Sequence, residues 1–238
     1  TKVDTRKYPN FVKDFVYQYK ELVNQIDSTV KPLEKASEFL PDLLGVDGRR
    51  RYLILLQDNG EIRSSGGWIS NYAVVAIENG QIHEIFIDDI YNAQALLALK
   101  GFKYRTPNSM TRALQGVTYS FPLVNWDPNL ENVLLSSEQF VYDLGKGEQL
   151  DGIIALDTVF LQRLLDAWEG VEVAAENDLV TSDNLYSNIA EDSTSQSPAE
   201  IRRSSFLTDL FNSVLTKIFS TKLTDNTKVY DVISKSIN

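Results

Sequence analysis

The segment of residues 52–68, YLILLQDNGEIRSSGGW, constrains the fold of this chain more than any other part of the sequence. Residues 52–56 form a short, continuous apolar run, which is typical of a strand buried on both faces. The run changes abruptly into amide, acidic and basic side chains and then into Gly66 and Gly67. Because ligand sites in α/β folds form where buried strands end, this change predicts a binding site beside the central strand.

Two kinds of residue in this polar segment suit an anionic ligand. Arg63 carries a permanent charge on a planar fork that fits phosphate or carboxylate. Gly66 and Gly67 let the backbone come close to a neighbour and can present bare N–H groups. The alternative is a solvated turn in which Arg63 pairs only with Glu61 or Asp58. The ligand-binding candidates in this segment are Asn59, Arg63, Gly66 and Gly67.

The composition excludes several classes of function. A net charge of −10 repels the phosphates of nucleic acids, so we expect no nucleic-acid partner. The absence of cysteine excludes disulfides, thiolate nucleophiles and thiolate metal sites. A single histidine, His83, excludes a multi-histidine metal centre. No apolar run reaches the ~18 residues that a membrane span needs.

Residues 1–40 predict an N-terminal amphipathic helix that begins after Asn10 and ends or kinks at Pro32. Its apolar residues alternate in spacings of four and three, which is a heptad seam. The seam either packs on its own domain or belongs to a membrane-proximal stalk that pairs with a second helix and so permits an oligomer. The seam residues are Val12, Val16, Tyr19, Val23, Ile26, Val30 and Leu33.

Two further strands follow the central one, at residues 68–77 and 81–87. Asn79-Gly80 between them is typical of a type I′ hairpin turn. The third strand ends in Asp88 and Asp89, which can bind a divalent cation such as Mg²⁺ or, alternatively, cap the next helix.

The second half of the chain predicts more helices and strands. Residues 100–125 have no clean periodicity, so we expect a long loop that frames the site entrance. Asp127 is expected to cap a helix that Pro128 opens. The strand at 152–156, the helix capped by Asp157 and the strand at 171–173 predict a parallel βαβ unit.

A last helix is expected at about residues 199–220, with Arg202 and Arg203 in its first turn. Cations are unfavourable at a helix start, so a bound phosphate or nearby carboxylates should lie beside them.

The central segment is similar to a bacterial domain family of unknown function, DUF4012. The similarity continues in residues 40–45 (LPDLLG), 150–157 (LDGIIALD) and 202–207 (RRSSFL), and covers about residues 40 to 220. The resemblance implies a cell-surface domain on the extracellular side of the membrane, with a membrane anchor before residue 1.

More remotely, the arginine loop, residues 160–173 and the Arg202 segment resemble the LytR–CpsA–Psr domain. Enzymes of that family transfer glycopolymers from a polyprenyl pyrophosphate to the bacterial cell wall. The resemblance implies that Arg63 and Arg202 hold the pyrophosphate. It also implies that Asp58 and Asp89 hold magnesium.

This sequence departs from that family at several charged positions. Asp88 and Ala199 stand where those enzymes carry arginines, and the acid that follows their loop arginine is missing. Each lost charged hydrogen bond weakens a pyrophosphate clamp by ~1.5–3 kcal/mol. The departures therefore favour binding without catalysis.

The sequence predicts an α/β fold with a mixed central sheet sandwiched by helices at residues 41–222. The stalk at 1–40 precedes it, and residues 223–238 begin a further element. Three functions follow from these observations. The first is binding of a cell-wall glycopolymer or its polyprenyl-phosphate carrier, the second is magnesium-dependent phosphotransfer, and the third is a purely structural surface role.

The heptad seam makes a prediction of its own. We expect Val16, Val23, Ile26 and Val30 to be buried against the domain or against a second copy of the helix. A crystal structure of the monomer with these four side chains in solvent would contradict it.

Overall fold

The computed structural model describes residues 41–114, 118–147, 149–173, 178–194 and 206–220. The predicted N-terminal helix, Arg202, Arg203 and residues 223–238 lie outside these ranges. The strands are β1 (Arg50–Arg63), β2 (Gly66–Glu78), β3 (Gln81–Asp89), β4 (Gly152–Asp157), β5 (Val171–Val173) and β6 (Asp178–Val180). The helices are α1 (Ile90–Leu99), α2 (Asn108–Leu114), a 3₁₀-helix (Phe121–Trp126), α3 (Leu130–Asp143), α4 (Thr158–Trp168), α5 (Leu185–Thr194) and α6 (Phe206–Ser220).

Four strands form the main sheet, in the order β3-β2-β1-β4. β1 runs antiparallel to β2 and parallel to β4, and β2 runs antiparallel to β3. The predicted mixed sheet is therefore confirmed. β1 lies inside the sheet because its continuous apolar run is unfavourable in water on both faces, and a strand on each side shields it further.

Helices cover both faces of this sheet, as predicted. On the front face, Leu53 and Leu55 pack in one core with side chains from α1, α2, the 3₁₀-helix and α3. On the back face, Ile54 and Leu56 pack against Phe211 and other apolar residues of α6. No helix within the described ranges is both long and apolar enough to cross a membrane.

The hairpin between β2 and β3 is confirmed. Glu78 pairs with Gln81, and the two residues between them have positive φ angles, 50° at Asn79 and 72° at Gly80. Positive φ at both positions defines the type I′ turn, which asparagine and glycine adopt at low cost.

The expectation of an unstructured loop at residues 100–125 is wrong. The structure contains α2 and the 3₁₀-helix there, and their residues Met110, Phe121 and Val124 are buried in the front core. Tertiary packing orders a segment whose own sequence carries only a weak helical pattern. The following helix begins at Leu130, two residues later than predicted. Asn129, rather than Asp127, caps it by accepting a hydrogen bond from the backbone N–H of Glu131.

The expected parallel pairing of β5 with β4 is also wrong. β4 pairs with β1, whereas β5 pairs antiparallel with β6 in a separate two-stranded sheet. A strand of three residues forms few ladder hydrogen bonds, so side-chain burial decides its position. Val171 and Val173 pack in a third core with residues of α4, α5 and α6.

The central position of β1 predicts how stability responds to truncation. Leu55 is fully buried, so Leu55→Ala should lower the free energy of unfolding by about 2–5 kcal/mol. Leu99 is 80% exposed, and Leu99→Ala should change it by less than about 0.5 kcal/mol. Urea unfolding of the two variants measures the difference. Equal losses would contradict the two-sided burial of β1.

Candidate functional site

Polar residues from four strands meet at one edge of the main sheet, which we call the rim. β4 ends there, and with it the pairing of β1 with β4, where Gln57 of β1 lies beside Asp157 of β4. β3 ends at the same edge, where Asn71 of β2 pairs with Asp89. This edge is the place predicted from the sequence, at the carboxyl ends of the parallel strands.

Beyond the rim, β1 and β2 continue as a two-stranded hairpin that carries Arg63. Register shifts in the pairing bring Asp58 opposite Trp68 and Arg63 opposite Gly66. The centre of the Arg63 guanidinium lies 4.5 Å from the centroid of the Trp68 ring, and that ring lies 6.3 Å from the ring of Tyr91. We call Arg63, Trp68 and Tyr91 the arginine platform.

Arg63 is held only weakly by polar contacts within its own hairpin. Its Nη1 donates to the Ile62 carbonyl at 3.0 Å, and its Nη2 lies 3.5 Å from Oε2 of Glu61. The Glu61 contact is the pairing expected for a solvated turn. A partly exposed ion pair at that distance contributes about 0–1 kcal/mol, so a stronger anion can displace the carboxylate.

Gly66 and Gly67 allow a close approach within the hairpin. A Cβ atom at Gly67 would lie 2.0 Å from the Asp58 carbonyl oxygen, and one at Gly66 would lie 2.2 Å from Oε1 of Gln57. The carbonyl of Gly67 also accepts a hydrogen bond from Nδ2 of Asn125, at 2.6 Å. A side chain at Gly67 would therefore collide with Asp58, and a side chain at Gly66 would collide with Gln57.

The two predicted metal ligands both accept backbone hydrogen bonds. Asp58 Oδ1 accepts from the N–H of Gly60 at 2.8 Å. Asp89 Oδ1 accepts from the N–H of Tyr91 at 2.7 Å and so caps α1, which was the alternative to metal binding. β2 separates their strands, so the two backbones are at least about 10 Å apart. Within the described part of the chain, no group of three or more acidic or histidine side chains is arranged to hold a metal.

Asn59 connects the hairpin to the start of α4. Its Nδ2 donates to Oδ2 of Asp157 at 3.0 Å, and its Oδ1 accepts from the N–H and the hydroxyl of Thr158, both at 3.1 Å. Asp157 also caps α4 through Phe160, as predicted. Asn59 therefore fixes the direction in which the hairpin leaves the sheet.

Three buried amides at the rim were not predicted as site residues. Asn71 and Asn125 are fully buried and Gln57 is 2% exposed. Within the described residues, Gln57 Nε2, Asn71 Oδ1 and Asn125 Oδ1 have no hydrogen-bond partner, although buried polar atoms normally have one. A single amide directly after or inside an apolar strand was the sequence signal that could have identified Gln57 and Asn71.

Tyr72 adds a buried hydroxyl to the same region. Burial raises the pKa of Tyr72 far above its usual value, and the negative charges of Asp88 and Asp89 add to the effect. The phenol therefore stays protonated and neutral at any physiological pH.

α6 reaches the rim through Thr208, whose hydroxyl oxygen lies 2.6 Å from Nδ2 of Asn71. Arg202 and Arg203 precede this helix in the sequence but lie outside the described residues. Their convergence with Arg63 stays a prediction.

The fold and the rim together define an α/β domain with a polar, arginine-bearing surface at the carboxyl edge of its sheet. The family model for "Protein of unknown function (DUF4012)" matches residues 47–193. The chain belongs to this family, which confirms the first resemblance. Comparison with curated proteins and with solved structures gives no match.

The close contact at Gly67 is testable. Gly67→Ala should lower the free energy of unfolding by about 1–3 kcal/mol, because its Cβ collides with backbone that cannot move independently. Gly60→Ala is the matched control in the same hairpin, since its nearest contact is a carboxylate oxygen of Asp58 at 3.2 Å. Thermal unfolding of both variants gives the comparison. A Gly67→Ala variant as stable as wild type would refute the contact.

Proposed function

We propose that this chain is a non-catalytic binding domain for a phosphate-bearing cell-wall glycopolymer or its polyprenyl-phosphate carrier. In this proposal it acts on the extracellular side of the bacterial membrane, held by an anchor outside this chain. The arginine platform is the observation that carries the binding function. The location rests on the sequence resemblances.

The guanidinium of Arg63 is well placed to bind a phosphate. It has five N–H donors in a planar fork, and its contacts with Ile62 and Glu61 in the hairpin use one donor on each of two nitrogens. The Trp68 ring restrains the plane of the fork, so a phosphate meets an oriented donor pair rather than a flexible side chain. The side chain remains 30% exposed.

The neighbouring surface suits the organic part of such a ligand. Tyr91 is 58% exposed beside Trp68, and the apolar face of a sugar ring can pack on an aromatic ring of this kind. Ile62, adjacent to Arg63, is 84% exposed and offers an apolar contact to a lipid chain. Charge and aromatic surface therefore lie together in the arginine platform, and Ile62 adds an exposed apolar side chain at the next position of the strand.

The acidic residues support binding rather than transfer. β2 lies between the strands that carry Asp58 and Asp89, and a backbone N–H orients each carboxylate within its own turn, which disfavours joint binding of one magnesium ion. Asp88, which stands where the remotely similar enzymes carry an arginine, would oppose a pyrophosphate rather than hold it.

Calorimetric titration with a polyprenyl pyrophosphate analogue, with and without Mg²⁺, tests the proposal. Arg63→Ala should weaken binding about tenfold to a hundredfold, because a charged, oriented hydrogen-bond pair is lost. Arg49→Ala is the matched control. It removes an exposed arginine that pairs with Glu84 of β3. Arg49 directly precedes β1, so it lies at the opposite end of that strand from Arg63.

Three outcomes would contradict the proposal. Equal binding by wild type and Arg63→Ala, or no binding by either, would leave Arg63 as a structural ion-pair residue. Magnesium-dependent cleavage of the pyrophosphate by the wild-type protein would instead favour the phosphotransferase.

A further inference from the structure

A cavity lies away from the rim, between α2, the 3₁₀-helix and α3. Its volume is about 240 Å³, which is below the roughly 300–1,000 Å³ of sites for drug-sized ligands. It therefore has room for one ring-sized group. We call it the α3 pocket, and its lining includes Met110, Tyr119, Trp126, Asp127, Asn132 and Leu135.

One side of the α3 pocket is apolar and aromatic. Met110 is 1% exposed and forms part of its lining. Trp126 and Leu135, also in the lining, remain 37% and 60% exposed. An indole and a leucine at this exposure contribute little to the core, so a ligand can gain contact with both.

The other side of the pocket carries an oriented carboxylate and an amide. Asp127 Oδ1 accepts from the N–H of Asn129 at 2.8 Å, and Oδ2 accepts from Nδ2 of Asn132 at 3.0 Å. A carboxylate offers about four lone-pair positions, and an amide nitrogen carries two hydrogens. The pair can therefore accept and donate further hydrogen bonds without losing the two that orient it.

Tyr119 adds a hydroxyl to the same lining. Burial raises the pKa of Tyr119, and a hydrogen bond with Ser136 only partly opposes that effect. The phenol is therefore a neutral hydroxyl group in the physiological pH range. Neutral polar groups and one fixed carboxylate beside an aromatic ring suit a ligand with several hydroxyl groups.

We propose that the α3 pocket binds one neutral pyranose ring. The apolar face of the sugar packs on Trp126 and Met110, and adjacent hydroxyls bond to Asp127 and Asn132. The site does not depend on the proposed phosphate recognition, because no residue of the arginine platform lines it. An amine would use the Asp127 carboxylate but leave the neutral Tyr119 and Asn132 groups unused, so a ring with several hydroxyls makes more of the hydrogen bonds that the pocket offers.

The pocket is also connected to the hairpin through Asn125, which directly precedes Trp126 in the 3₁₀-helix. The backbone carbonyl of Asn125 accepts from the hydroxyl of Ser65 at 3.3 Å, and its side chain donates to Gly67. The two sites are therefore connected by these two hydrogen bonds while they have separate linings.

NMR titration of the full chain with methyl glucopyranoside and N-acetylglucosamine tests the proposal. Asp127→Asn and Trp126→Ala should each weaken sugar binding about tenfold, through loss of a charged hydrogen bond and of aromatic contact. Glu131→Gln and Tyr142→Ala are matched controls, because both residues are exposed on α3 and neither lines the pocket. Asp127→Asn preserves the size of the side chain, so this variant still tests the proposal if Trp126→Ala does not fold.

Each of the two binding proposals can be refuted without refuting the other. Arg63→Ala should leave sugar binding unchanged, so its effect on the phosphate ligand reports only on the arginine platform. Absence of saturable shifts with either sugar would overturn the α3 pocket as a pyranose site. Unchanged affinity in Asp127→Asn, or tighter binding of methylamine than of either sugar, would also overturn it.

Discussion

Burial of β1 on both faces is the constraint on which the rest of the structure depends. Residues 53–56 have no polar face, so helices must cover the strand from the front and from the back. Its backbone groups need partners on both edges, which β2 and β4 supply. Polar side chains are excluded from this run and collect where it ends. The position of the rim is therefore a consequence of the core.

Side-chain amides near the rim connect the hairpin and the sheet to the surrounding helices. Asn59 joins the hairpin to α4, Asn71 joins β2 to α6, and Asn125 joins the 3₁₀-helix to Gly67. Each connects elements distant in sequence, and Asn71 and Asn125 are buried, where the loss of a hydrogen bond costs about 1–3 kcal/mol. The hairpin is therefore held from three directions, and Arg63 is presented on a fixed support.

The sequence predicts those parts of the fold whose causes are local. The positive φ angles of Asn79 and Gly80 and the capping by Asp89 and Asp157 depend on a few neighbouring residues. The pairing of β5 with β6 could not be predicted in this way, because it depends on which distant helices bury Val171.

The candidate site shows the same division between local and distant causes. Glu61 could be named as a partner of Arg63 because it lies two residues away. The ring of Trp68 reaches Arg63 only through the register shift across the hairpin. The α3 pocket was missed because Trp126 and Asp127 meet Asn132 only once α3 begins at Leu130.

The overall charge determines what kind of recognition this surface can support. At a net charge of −10, a phosphate-bearing polymer approaches against repulsion, which salt screens over about 8–10 Å. Long-range attraction therefore cannot bring the polymer to Arg63, and binding must depend on contacts made within the platform. A neutral sugar ring carries no such penalty. In the two proposals together, the α3 pocket supplies affinity that the charge of the protein does not oppose. The oriented guanidinium of Arg63 supplies selectivity for phosphate.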